Sequence, residues 1–136
     1  MLSSKITIEV GVDSQALIEE LIDVERFYGS DIIERHGDNY VLNLTLRGVG
    51  SRFSFKIPIY VQVVGNRVYH IGFGGTEYLA SFEVVAIPGG SLLIAWVQLR
   101  AGRKAWFMGA NLDEFLRGLV NAAATRAILK RRAKST

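Results

Sequence analysis

Arg52-Phe53-Ser54-Phe55-Lys56-Ile57-Pro58-Ile59-Tyr60-Val61-Gln62-Val63-Val64 places Phe53, Phe55, Ile57, Ile59, Val61 and Val63 at every second position. A period of two sets them on one face of a β-strand, with Arg52, Ser54, Lys56 and Gln62 on the other. At ~3.3 Å per residue the strand spans roughly 40 Å, longer than ordinary strands, so a bend is expected. Pro58 removes one ladder donor inside it, which calls for an edge position, a bulge or a bend there.

Upstream, Gly48-Val49-Gly50-Ser51 breaks the chain. Before that break Tyr40, Leu42, Leu44 and Leu46 alternate with Val41, Asn43, Thr45 and Arg47, after a turn at Gly37-Asp38-Asn39. Downstream, Gly65-Asn66 opens a strand over Arg67 to Phe73. Gly74-Gly75 opens another over Thr76 to Ile87, and Pro88-Gly89-Gly90 a last one over Ser91 to Arg100. Links this short join antiparallel neighbours, so these strands form a meander.

The flanks complete the pattern. Lys5 to Val12 alternates and reads as a sixth strand. Asp13 or Ser14 offers a cap to one helix reaching Gly29, with Ala16, Leu17, Leu21, Val24 and Tyr28 on a common face. From about Asn111 the period becomes helical. Leu112, Phe115, Leu116, Leu119, Val120, Ala123 and Ala127 make an apolar stripe, and Asp113 and Glu114 at the start and Lys130, Arg131 and Arg132 at the end suit the helix dipole. About twenty residues give a rod of ~30 Å, enough to cross the sheet.

Composition narrows the function. The chain has 136 residues, 49% of them hydrophobic, which suits one domain over residues 1–136. Its longest apolar run, Leu92 to Val97, is far short of the ~20 residues a membrane span needs. No basic segment followed by an apolar stretch opens the chain, so a cytoplasmic location is expected. Cysteine is absent, which excludes disulfides, thiolate metal sites and cysteine nucleophiles. The net charge is +3 and unevenly spread: nine of the thirteen acids lie between Glu9 and Asp38, and nine of the sixteen bases lie from Arg100 onward. That asymmetry fits either an anionic partner or an acidic first helix and a basic last one.

No catalytic signature appears. His36 and His70 are the two histidines, without the spacing of a zinc site, so no metal and no cofactor is expected. Gly72-Phe73-Gly74-Gly75 lacks a following Lys-Ser/Thr and reads as a turn rather than a phosphate cradle. No serine sits in a Gly-x-Ser-x-Gly elbow, and the adjacent Asp113 and Glu114 point apart on a helix. His70, mid-strand beside Tyr69, is either a proton carrier or head-group donor, or a solvent-facing or simply satisfied histidine. Arg100, Arg103 and Lys104 before Trp106 and Phe107 either meet an anionic group or form a cationic loop whose aromatics plug the core. Arg126 to Lys134 is read as a solvated helix end, so nucleic acid is not an expected partner.

The order strand, helical segment, five-strand meander and long amphipathic helix, from Ile6 to Arg132, resembles the helix-grip fold of the START-like superfamily. That superfamily includes lipid-transfer domains, plant pathogenesis-related proteins and polyketide cyclases. The resemblance implies an α+β fold in which a curved six-stranded antiparallel sheet wraps the C-terminal helix and leaves a cavity beneath it. Two features depart from the family: the segment Asp13 to Gly29 shows no break into two helices, and the connection before the last helix is short.

Gly109, Ala110, Gly118, Ala122, Ala123, Ala124 and Ala127 make that last helix slender. Either it packs tightly against large partners or it leaves a void, and the resemblance favours the void. The expected function is then a carrier of an apolar small molecule such as a long-chain fatty acid or other lipid. Burial would stabilise the complex by ~0.8 kcal/mol per CH₂. Leu42, Leu44, Phe53, Phe55, Ile57, Tyr78, Phe82, Leu116, Leu119 and Val120 would line the cavity, with Tyr69, His70 or Arg100 at a polar head. Two other readings stand beside it: a cyclase or aromatase using Tyr or His as a proton shuttle, and a regulatory subunit with a filled core and a basic surface for an anionic partner. Ile94 and Trp96 share one strand face, and Leu93, Ala95, Val97 and Leu99 the other. That strand is either buried on both sides or placed at a homodimer contact.

Overall fold

The computed structural model describes residues 1–75, 77–100, 102–107 and 109–135, and only the backbone of residues 104, 106, 107, 134 and 135. The elements are β1 (Leu2–Val10), α1 (Ser14–Ile22), α2 (Val24–Tyr28), a 3₁₀ turn (Gly29–Asp31), β2 (Ile32–His36), β3 (Asn39–Gly48), β4 (Ser51–Val64), β5 (Arg67–Gly72), β6 (Tyr78–Ile87), β7 (Gly90–Leu99), α3 (Gly102–Phe107) and α4 (Leu112–Ser135). The sheet is antiparallel in the order β1-β7-β6-β5-β4-β3-β2, so the meander closes by pairing its last strand with the first strand of the chain.

The sheet has seven strands rather than six. The extra one is β2, whose Ile32-Ile33-Glu34-Arg35-His36 shows no alternation because nearly all of it faces solvent. It is held by backbone pairing with β3 across the Gly37 turn, from His36 opposite Asn39 to Ile32 opposite Leu42. The first helical segment is also broken, against the sequence expectation and in keeping with the superfamily that the sequence resembles. Asp23 leaves helical geometry (ψ 85°) and its carboxylate caps α2 by accepting from the Arg26 N–H at 3.1 Å. The connection before the last helix is not bare either, since α3 occupies it.

β4 shows how the sheet bends. It pairs with β3 from Ser51 to Tyr60, but with β5 only from Ile59 to Val64. Pro58 sits where β5 runs out. Its carbonyl accepts from the Phe73 N–H at 3.0 Å on the β5 side, so the donor it lacks falls at the ladder's end and leaves no gap. The concave face carries Ile6 and Val10, Leu93 to Leu99 at alternate positions, Tyr78, Ala80, Phe82 and Val84, Val68 and His70, Ile57 and Ile59, and Leu42, Leu44 and Leu46, all buried. This settles the seventh strand: Leu93, Ala95, Val97 and Leu99 face in, while Ile94 and Trp96 face out.

α4 packs most closely on β1 and α1. Its start is tied to both sides of the bowl. Ser4 of β1 donates to the Asp113 carboxylate at 2.8 Å, and the Asn111 N–H donates to the Arg47 carbonyl of β3 at 2.8 Å. The Arg47 carbonyl is free to accept because β2 covers β3 only as far as Leu42. The Asn111 side chain in turn caps α4 by accepting from the Glu114 N–H. Among the described residues, no helix is long and apolar enough to cross a membrane.

Candidate functional site

Of the ten residues expected to line a cavity, Leu42, Leu44, Ile57, Phe82, Leu116 and Val120 are 0% exposed and Tyr78 3%. Surfaces that a water molecule cannot touch do not border a void, so these side chains close the space beneath the middle of α4 themselves. The alanine stripe explains the tight fit. Ala123 and Ala127 are fully buried and let α4 settle directly onto β1 and α1 instead of standing off from the sheet. The remaining three, Phe53, Phe55 and Leu119, are only partly buried, and so is Phe115.

Phe115 and Leu119 open into a groove of about 320 Å³ on the flank of α4 that faces the β3–β4 hairpin. Thr45, Arg47 and Arg52 form the hairpin wall, and Asn111, Glu114 and Gly118 complete the helix side. Gly118 makes part of the room, since a Cβ placed there would meet nothing within 4 Å.

A second feature lies deeper. The His70 Nε2 is 2.7 Å from the Leu21 carbonyl, and its Nδ1 is 2.8 Å from the Tyr28 hydroxyl, which is 2.8 Å from the Tyr78 hydroxyl. A carbonyl can only accept, so Nε2 carries the proton. Burial lowers the His70 pKa from 6.5 to about 4, against an opposing pull from the Leu21 bond, and the ring is neutral near pH 7. Nδ1 therefore accepts from Tyr28, which accepts from Tyr78. Both phenols are pushed well above their ordinary 10, chiefly by burial. Each donor thus points down one line ending at Leu21 of α1, which fastens the helical segment to the sheet. The aromatic ring of Phe27 packs edge-on to His70 and Phe82 over this chain.

The other expected polar contacts lie elsewhere. Tyr69 points to the convex face, opposite its neighbour His70. Arg100 stands at the end of β7, its Nε 2.9 Å from the Glu77 carboxylate. Trp96 is 44% exposed on the convex face, opposite Lys5 and Ser81. Arg103 is exposed, and the side chains of residues 104, 106 and 107 lie outside the described residues. His36 pairs with Glu34 on the surface at 2.9 Å. Among the described residues no three metal-ligating side chains come together. Sequence reasoning missed Arg47 and Arg52 as a pair, although the short Val49-Gly50 loop implies that they face each other.

The basic end of α4 is not an open patch. Arg126, Lys130 and Arg131 lie 3.4, 3.4 and 3.5 Å from Glu20, Glu19 and Asp13. The charge asymmetry of the sequence is spent largely within the molecule, between α4 and the acidic first helix and its cap.

No protein-family model and no curated protein sequence matches the chain. Solved structures do match in fold. A START superfamily protein from Mycobacterium smegmatis superposes with a TM-score of 0.57 at 14% identity, covering 98% of this chain and 99% of that one. A Thalictrum norcoclaurine synthase, solved with a transition-state analogue, gives 0.61 at 12% identity over 96% and 97%. A Streptomyces aromatase/cyclase gives 0.53 at 14% identity over 97% and 95%. The chain has the START-like helix-grip fold.

Proposed function

We propose that the chain binds a small apolar molecule, such as a fatty acid or another short-chain lipid, in the groove between α4 and the β3–β4 hairpin. The observation that carries this reading is that Phe115 and Leu119, side chains packed against the core, form the floor of a surface concavity. At about 320 Å³ the groove is at the small end of the ~300–1,000 Å³ usual for ligand sites, which favours a short chain over a long one. A carrier needs no nucleophile; of the two candidates lining the groove, the Thr45 hydroxyl is bonded to Ser54 and the Glu114 carboxylate faces Arg47 at 4.0 Å.

The buried line Tyr78–Tyr28–His70 supports a second reading, a cyclase-type enzyme in which a phenol exchanges a proton with substrate. It ranks second because all three groups are sealed from water and the phenols are poor acids at neutral pH. Native mass spectrometry of protein taken from unsupplemented medium, followed by titration with a fluorescent fatty-acid probe, tests the first reading. Uptake by the wild type that is lost in Gly118→Leu, whose side chain would occupy the groove, is the expected result. Absence of uptake by the folded wild type sinks it. Chemical conversion of a bound molecule, abolished by Tyr78→Phe, would favour the enzyme.

A further inference from the structure

The end of the β3–β4 hairpin carries a like-charge pair. Arg47 and Arg52 are directly opposite each other in register, an arrangement that destabilises a sheet when nothing compensates it. Other arginines of the sheet have a carboxylate at hand: Arg35 reaches Glu25 at 2.7 Å and Arg67 reaches Glu83 at 3.0 Å. Among the described residues Arg52 has none. Arg47 has only Glu114, 4.0 Å away between two largely exposed side chains, a separation at which an ion pair contributes little. Both arginines are among the residues that line the groove, together with Phe115 and Leu119. Gly118, a glycine inside a helix and therefore itself a cost, leaves open space beside it on the helix side of the groove.

We propose that the ligand of this groove carries an anionic end, a carboxylate or a phosphate monoester, held by Arg47 and Arg52, with its apolar chain on Phe115 and Leu119. The inference rests on the reading of the groove given above and adds the chemical class of its occupant. A guanidinium presents a planar fork of donors that matches two oxygens of either anion. An anion between the two arginines also removes their repulsion, which a neutral head group does not. Glu114, the carboxylate lining the groove, yields Arg47 to the ligand and is repelled by it, so neutralising Glu114 strengthens anion binding.

Calorimetric titration of the full chain with octanoate, octyl phosphate and octanol tests this, since the three share one apolar chain and differ at the head. Octanoate and octyl phosphate are expected to bind about tenfold or more tightly than octanol, a preference of the size charge-assisted hydrogen bonds give. The tighter of the two anions identifies the head group. In Arg52→Gln, an exposed position whose fold is checked by circular dichroism, that preference of the anions over octanol disappears. In Glu114→Gln the anions bind more tightly. Octanol binding as well as octanoate, or an unchanged preference in Arg52→Gln, overturns the anion clamp and leaves the groove reading standing. Inorganic phosphate binding as tightly as octyl phosphate overturns it too, because the apolar floor would then contribute nothing. Failure of all three amphiphiles to bind removes the groove reading itself, and the inference with it.

Discussion

His70 titrates against its surroundings. Its unfolded pKa is near 6.5 and its folded value about 4, so between those values the unfolded chain holds a proton that the folded chain refuses. Stability accordingly falls as pH drops through that window, by up to about 3 kcal/mol, and levels off below it. The urea midpoint followed from pH 7.5 to pH 4 should show this slope in the wild type. It should be reduced in His70→Gln, an amide that can bond Leu21 and Tyr28 without titrating; an equal slope in both would clear His70 of the effect. Asp113 lies lower on the scale. Its carboxyl is held below the ordinary 3.8, first by Arg117 and then by Ser4, so its contribution is lost only as pH falls past that value. Sequence kept His70 as a ligand contact but favoured a solvent-facing or satisfied histidine, and could not say whether it faced in or out. Val68 and His70 alternate with Tyr69 and Ile71 over a short strand, and the outward pair is the more apolar-looking of the two. Only the register with β4, His70 opposite Val61, fixes which one faces in.

Elements were legible where burial repeats and illegible where it does not. β4 and α4 bury one side along most of their length, so their periods survive in the sequence. β2 buries almost nothing, and the α1–α2 break turns on one side chain, Asp23, folding back on its own backbone. The glycines of the two halves of the molecule also differ in kind. Gly90 lies where a Cβ would collide with the Val10 carbonyl, so a side chain there would force β1 and β7 apart. Gly118 has ordinary helical geometry and open space around it. Gly118→Ala should therefore stabilise the fold by about 1 kcal/mol, the propensity difference inside a helix, read as a higher urea midpoint with unchanged slope. A loss of stability would mean that the groove is narrower than its geometry indicates. The methyl group would leave most of the groove free, so ligand affinity should change much less than in Gly118→Leu.

At the scale of the whole molecule, the sheet curls until β1 and β3 both reach the start of α4, through Ser4 on one side and Arg47 on the other. The order of elements announced this wrap only through its resemblance to the helix-grip fold; the pairing of β1 with β7 that closes it came from the structure. It did not announce how full the bowl would be. Alanines can mean a void or a close approach, and the outcome depends on the facing Leu42, Leu44, Ile57 and Phe82, which close the space from the sheet side. The groove proposed for a ligand lies at the flank, beside the ties that hold α4 to β3. An occupant bridging hairpin and helix should stiffen that corner and leave the buried middle as it is. Hydrogen exchange with octanoate at a hundred times its dissociation constant should slow amides in β3–β4 near the Val49-Gly50 turn and in the first turns of α4, with β6 and β7 unaffected. Linkage at that saturation contributes about 2.7 kcal/mol, a rise of roughly 8–10 °C in the thermal midpoint for a chain of this size. Protection spread evenly over the sheet centre would instead place the ligand beneath α4, in a bowl opened for it, and would move the site away from Arg47 and Arg52.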